Sequence, residues 1–162
     1  QMVSAYCSIA NGGKLVKPRI LKQIVLDDGT VVKEWPVDEM RSIITPETSR
    51  RLLNNLQKVV DTGTGKEAKS SMYTIGGKTG TSQKVINGVY SNTHHIGSFI
   101  GISPIDSPKI VVLVLLDDPL GLGYGGTVAA PAVKSIVDNT LRYLQVPSPT
   151  ITVTELDEAP LE

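Results

Sequence analysis

TIGGKTGTSQK, residues 74–84, carries two overlapping signals. Gly77-Lys78-Thr79 matches the end of a phosphate-binding loop, which would predict a strand, a loop and then a helix. The same run alternates Thr79 and Thr81 around Gly80, which predicts a strand. The loop motif G-x-x-x-x-G-K-[ST] needs a first glycine to make its turn, and Met72 stands at that position. A second candidate, Gly65-Lys66, has Val60 in place of that glycine and is followed by Glu67. Residues 74–84 are therefore read as a strand, and nucleotide binding is set aside.

A strand places Thr79 and Thr81 on one face, because side chains alternate with period two. Two hydroxyls and the Lys78 ammonium can hold a carboxylate. Gly80 has no side chain and lets a ligand or a neighbouring strand approach. If this strand borders a site, one of its free backbone N–H groups can support the oxygen of a carbonyl under attack.

The flanking segments supply the rest of the expected fold. Residues 95–103 and 109–118 read as two further strands, with turns at Asn87-Gly88 and Ser103-Pro104. IVVLVLL, residues 110–116, is apolar without alternation and predicts a central strand covered on both faces. Residues 45–63 predict a helix capped by Thr45, begun by Pro46 and ended by Gly63, with Leu52, Leu53, Leu56, Val59 and Val60 inward. A polar, flexible loop is expected at 61–71. The last helix, within 128–144, is expected to bury Val133, Ile136, Val137, Leu141 and Leu144. An opening helix with Met2, Tyr6, Ile9 and Ala10 on one face stops at Asn11-Gly12-Gly13, and a hairpin turns at Asp28-Gly29. Trp35 is expected to pack on the core. The sum is an α+β fold, an antiparallel sheet flanked by helices.

Composition narrows the function. Sixteen basic and sixteen acidic residues balance among 162, which removes the electrostatic case for nucleic acid or an anionic membrane surface. The longest apolar run falls far short of the roughly 20 residues of a membrane helix. Cys7 is the only cysteine, so neither an internal disulfide nor a thiolate metal cluster can form. His94 and His95 are the only histidines and, on a strand, point to opposite faces, so no metal is expected there. Asp117-Asp118 reads as a solvated strand end.

VVDTGTGKEA, IGGKTGTSQK, HHIGSFIGISPIDSPKIVVLVLLDDP and YGGTVAAPAVKSIV follow one another in order, after YCSIANGGKLVKPRIL and TPETSRRLLNNLQKVV. This succession resembles class B penicillin-binding proteins of the division and sporulation type, over residues 1–146. The resemblance implies the C-terminal portion of a transpeptidase domain at 1–146, followed by an acidic, flexible tail at 147–162. The implied activity of the intact protein is D-alanyl-D-alanine transpeptidation on peptidoglycan stem peptides, with acylation by β-lactams and no metal or organic cofactor. A non-turnover β-lactam or peptidoglycan sensor and a serine β-lactamase are the alternatives.

Residue by residue, the resemblance gives Lys78 an electrostatic role toward the substrate carboxylate. Thr79 and Thr81 hydrogen-bond substrate, Gly77 and Gly80 permit close approach, and the Thr81 backbone N–H forms half of an oxyanion hole. Gly63-Thr64-Gly65 and Tyr124-Gly125-Gly126 match loops to which no chemistry is assigned. The family's reaction also needs a serine in S-x-x-K and a second motif, S-x-N. No serine of this chain has Lys three places on or Asn two places on. Helical periodicity runs from Gln1 with no capping residue or leader. The expectation is a piece whose partner is the upstream part of the same domain, the parent being membrane-anchored on the extracytoplasmic face.

Overall fold

The computed structural model describes residues 1–121 and 123–148. Helix α1, Met2–Ala10, presents Tyr6, Ile9 and Ala10 to the core, while Met2 stays exposed. Left-handed φ values at Gly12 and Gly13 turn the chain out of α1, a conformation glycine adopts without steric cost. Two small sheets follow. Strand β1, Lys14–Val16, pairs with β4, Glu39–Ser42, a pairing that strands of only three and four residues did not announce in sequence. Between them lies the expected hairpin, β2 (Gln23–Val25) with β3 (Val31–Glu34). Asp28 fixes its turn by accepting the Thr30 N–H at 2.8 Å. Trp35 extends the hairpin through its N–H to the Lys22 carbonyl. Its ring belongs to neither core cluster and instead lies under the Lys33 ammonium, 4.7 Å from the ring centre.

Helix α2, Pro46–Asp61, has Thr45 as N-cap, its hydroxyl accepting from the Thr48 N–H. Leu53 and Val60 are buried; Leu52, Leu56 and Val59 are half-buried at the margins of that face. Residues 61–71 are not an open loop: a 3-10 turn at Lys66–Ala68 buries Ala68 completely.

The main sheet contains β5 (Gly76–Ile86), β6 (Val89–Ser103) and β7 (Ile110–Asp117) in the order β5-β6-β7, all antiparallel. The first two run on beyond their expected ends to meet at Asn87-Gly88. The expectation that the third strand is central is overturned, since β6 holds the centre and β7 an edge. Its unbroken apolar run has another cause. Ile110, Val112 and Val114 pack into one core cluster, and Val111 packs into the other on the opposite face.

Helix α3, Gly125–Val128, leads into α4, Ala130–Tyr143. Val133, Val137 and Leu141 are fully buried as expected, but Ile136 and Leu144 are not, at 42% and 52% exposed. Ala130 and Asp138 complete the buried face. Gln145, with φ 54°, ends α4: its N–H donates to the Arg142 carbonyl and the Val146 N–H to the Leu141 carbonyl. Ser148 donates to the Met72 carbonyl at 2.6 Å. The remainder of the tail expected at 147–162 lies outside the described residues.

Candidate active site

Strand β5 carries Lys78, Thr79, Gly80 and Thr81, and it is an edge of the main sheet. Which of its backbone groups are free follows from register. The Asp118 N–H donates to the His95 carbonyl at 2.9 Å, so residue 95 turns its polar backbone groups toward β7. With period two, residues 97, 99 and 101 do the same, and the even-numbered residues of β6 turn toward β5. Their partners there are Gly76, Lys78, Gly80 and Ser82, with no register shift between them. Gly77, Thr79 and Thr81 therefore aim their N–H and C=O groups away from β6, at the open edge.

Side chains follow the same alternation. Gly76 abuts the α2 backbone at Gln57, so Lys78, two residues on, rises from the α2 face. Gly77 lies against the Phe99 ring, so Thr79 and Thr81 rise from the opposite face, toward α3 and α4. The two faces meet at the edge. Lys78 Nζ donates to the Thr79 carbonyl at 2.9 Å and lies 3.4 Å from Thr79 Oγ1. An ammonium, a hydroxyl and an outward N–H at Thr81 thus converge on one rim, the arrangement expected to bind an anion beside a reacting carbonyl. Lys78 and Thr81 are exposed, and Thr79 and Gly80 are half-buried.

Two loops hold this rim, and their part was not legible in the sequence. The Gly125 N–H donates to Thr81 Oγ1 at 3.2 Å. A Cβ on Gly125 would collide with the Ser98 and Gly80 carbonyls, so α3 sits directly on the backbone of β5 and β6. Thr64 Oγ1 lies 3.1 Å from Thr79 Oγ1. Gly80 does give room for close approach, and a neighbouring-strand side chain takes it: Ser98 Oγ would lie 2.5 Å from a Cβ there. Thr81 also borders a cavity of about 370 Å³ lined by Asn92, Thr93, His95, Gly123 and Tyr124.

At the far end of the sheet, Asp117 and Asp118 are not merely solvated. Lys84 Nζ reaches Asp117 at 2.8 Å, and His94 Nδ1 reaches Asp118 at 2.7 Å. The His94 hydrogen bond holds the Asp118 carboxyl below its ordinary range, with Lys84 adding to the effect. The hydrogen bond to Asp117 raises Lys84. No group of three or more His, Cys, Asp or Glu suited to a metal occurs among the described residues.

Residues 1–138 match the family model described as the penicillin binding protein transpeptidase domain. The chain belongs to this family. It is a class B penicillin-binding protein sequence, as its relatives confirm. Stage V sporulation protein D of Bacillus subtilis is 43% identical over 149 residues, which are 90% of this chain and 23% of that protein. Penicillin-binding protein PbpB of Mycolicibacterium smegmatis is 36% identical over 91% of this chain and 24% of its own length. Penicillin-binding protein 3 of Mycobacterium tuberculosis, solved in complex with aztreonam, superposes with a TM-score of 0.80 at 32% identity, over 91% of this chain and 35% of that one. The α+β fold expected from the strand and helix pattern is thus that of penicillin-binding transpeptidase domains. The chain spans about a quarter of the length of these curated relatives. Among the described residues, no helix is long and apolar enough to cross a membrane.

Proposed function

We propose that this chain forms the Lys-Thr-Gly wall of a serine-type D-alanyl-D-alanine transpeptidase that cross-links peptidoglycan and is acylated by β-lactams. The observation that carries this reading is the rim of β5, where Lys78 Nζ, Thr79 Oγ1 and the outward Thr81 N–H share one open edge. The attacking serine and its base come from an S-x-x-K segment outside this chain, in the preceding part of the domain.

In the proposed acylation, the serine oxygen bonds to the carbonyl carbon of the penultimate D-Ala and its proton passes to a base outside this chain. The Thr81 N–H donates to the oxyanion that forms. Such a donor stabilises the transition state by about 3 kcal/mol. The C–N bond then breaks, and the terminal D-Ala leaves as an amine after taking up a proton. Lys78 and the hydroxyls of Thr79 and Thr81 hold the carboxylate of the leaving residue, or that of a penicillin. An amine of a second stem then attacks the ester, forming the cross-link and freeing the serine. The enzyme works on the outer face of the cytoplasmic membrane, anchored by a segment outside this chain.

The test is to incubate the full-length protein with fluorescent penicillin and to follow bound label. A stable, stoichiometric acyl-enzyme is expected, and Lys78→Ala should slow its formation by at least about tenfold, the effect of losing one charge-assisted contact. Rapid release of hydrolysed penicillin would instead identify a β-lactamase. A stable adduct without cross-linking of stem peptides would identify a sensor.

A further inference from the structure

We infer that Thr64 is a positioning residue: its hydroxyl donates to Thr79 Oγ1, which holds that oxygen in place and turns the Thr79 proton toward a substrate carboxylate. The inference rests on the acylation reading above. Thr79 Oγ1 has two near neighbours, Thr64 Oγ1 at 3.1 Å and Lys78 Nζ at 3.4 Å. An ammonium can only donate, so Thr79 accepts from Lys78. A hydroxyl has one proton and two acceptor lone pairs. If Thr79 spent its proton on Thr64, it would offer an incoming anion nothing but oxygen lone pairs. If Thr64 donates instead, Thr79 accepts twice and its own O–H faces outward. The second polarity is the one an anion on the rim selects.

Thr64 is built into place rather than drifting on a loop. The Gly65 N–H donates to the Val59 carbonyl at 2.9 Å and the Gly63 N–H to the same carbonyl at 3.1 Å, folding residues 63–65 back onto the end of α2. A side chain at Gly65 would meet the Phe99 ring at 2.9 Å. One at Gly126 would collide with the Thr64 carbonyl and crowd the Thr79 methyl. The loop is thus pinned between α2, the central strand and α3, with the Thr64 hydroxyl aimed at Thr79. Apart from Thr79, no group among the described residues hydrogen-bonds to that hydroxyl.

The experiment compares full-length wild type, Thr64→Val, Thr64→Ser, Thr79→Val and the double variant Thr64→Val with Thr79→Val. Each is assayed for acylation by benzylpenicillin, which carries a carboxylate, and by a thioester substrate lacking one. Thr64→Val frees the Thr79 hydroxyl to rotate and should slow acylation by benzylpenicillin about fivefold, the order expected for one neutral hydrogen bond, while leaving the thioester rate within about twofold. Thr64→Ser should restore the penicillin rate. Thr64→Val should have no further effect in a Thr79→Val background. Equal losses on both substrates, no loss on either, or full additivity with Thr79→Val would overturn the inference. If wild type itself is not acylated by either compound, the transpeptidase reading is what fails.

Discussion

Single residues at this rim act through contact with backbone as much as through their own chemistry. Gly125 illustrates this: any side chain there meets the carbonyls of Ser98 and Gly80, and its N–H is the donor to Thr81 Oγ1. Gly125→Ala should therefore push α3 off the sheet, lowering stability by about 1–3 kcal/mol, the usual cost of overpacking. It should slow penicillin acylation at the same time. Urea unfolding and labelling rates of one preparation check both, and a loss of stability with an unchanged rate would detach Gly125 from the site. A second residue-scale expectation concerns Asp118. Its carboxyl is held down chiefly by the His94 hydrogen bond, so its stabilising contribution is complete above the ordinary value of 3.8 and is lost as pH falls through the lower folded value. Lys84 has the opposite sign: its contribution is complete below 10.5 and is lost as pH rises through the raised folded value. A carbon-detected NMR titration should place the Asp118 midpoint below 3.8, and His94→Ala should move it back toward that value. The residues of the Lys-Thr-Gly run were legible in sequence because alternation and residue type are local. The Thr64–Thr79 and His94–Asp118 pairs were not, because each joins segments whose register appears only in three dimensions.

At the scale of elements, the parts read correctly were those whose ends carry their own chemistry. Helix α2 begins where Thr45 and Pro46 say it does, because the cap bond and the preset φ act within one turn. Thr45→Ala should cost about 1 kcal/mol, read as a shift of the unfolding midpoint without a change in slope. A null result would mean that packing of Leu53 and Val60 alone sets the start of α2. Helix α4 lies where the periodicity puts it, but two of the five residues expected on its inward face are exposed. Ile136 lies at the margin of that face and Leu144 caps the helix just past its end, while the buried Asp138 takes one hydrogen bond from Ser70 and an ion pair from Lys134. The strand ends at 84 and 95 fell short because residues 85–94 form an exposed ribbon with no hydrophobic alternation to betray it. The apolar run of β7 reported two covered faces correctly and its neighbours wrongly. Hydrophobicity senses the helices above and below a strand, not the strands at its sides.

The largest scale concerns what these elements leave open. Strand β7 is an edge with Leu115 at 57% exposure, and it lacks the lysine, proline or bulge with which natural edges avoid adding strands. Ile24, Val25, Val31 and Val32 of the small hairpin are also exposed. Exposed apolar surface of this kind marks an interface. Under the proposed function the rim of β5 makes the same demand chemically, since its Lys78 and Thr79 groups face an edge where no S-x-x-K serine of this chain can stand. Both needs are met at once if the preceding part of the domain covers the sheet and brings the nucleophile to the rim. Residues 1–148 expressed alone should then self-associate, bind a hydrophobic dye and take no fluorescent penicillin. Co-expressed with the preceding part as a separate polypeptide, they should elute as a one-to-one complex with the label on the partner. Label on this chain would mean that one of its own serines or threonines attacks, and would end the reading in which the rim only receives the substrate. A monomeric, dye-free chain that leaves the separately expressed partner to label at the full rate would show that the rim contributes nothing to acylation.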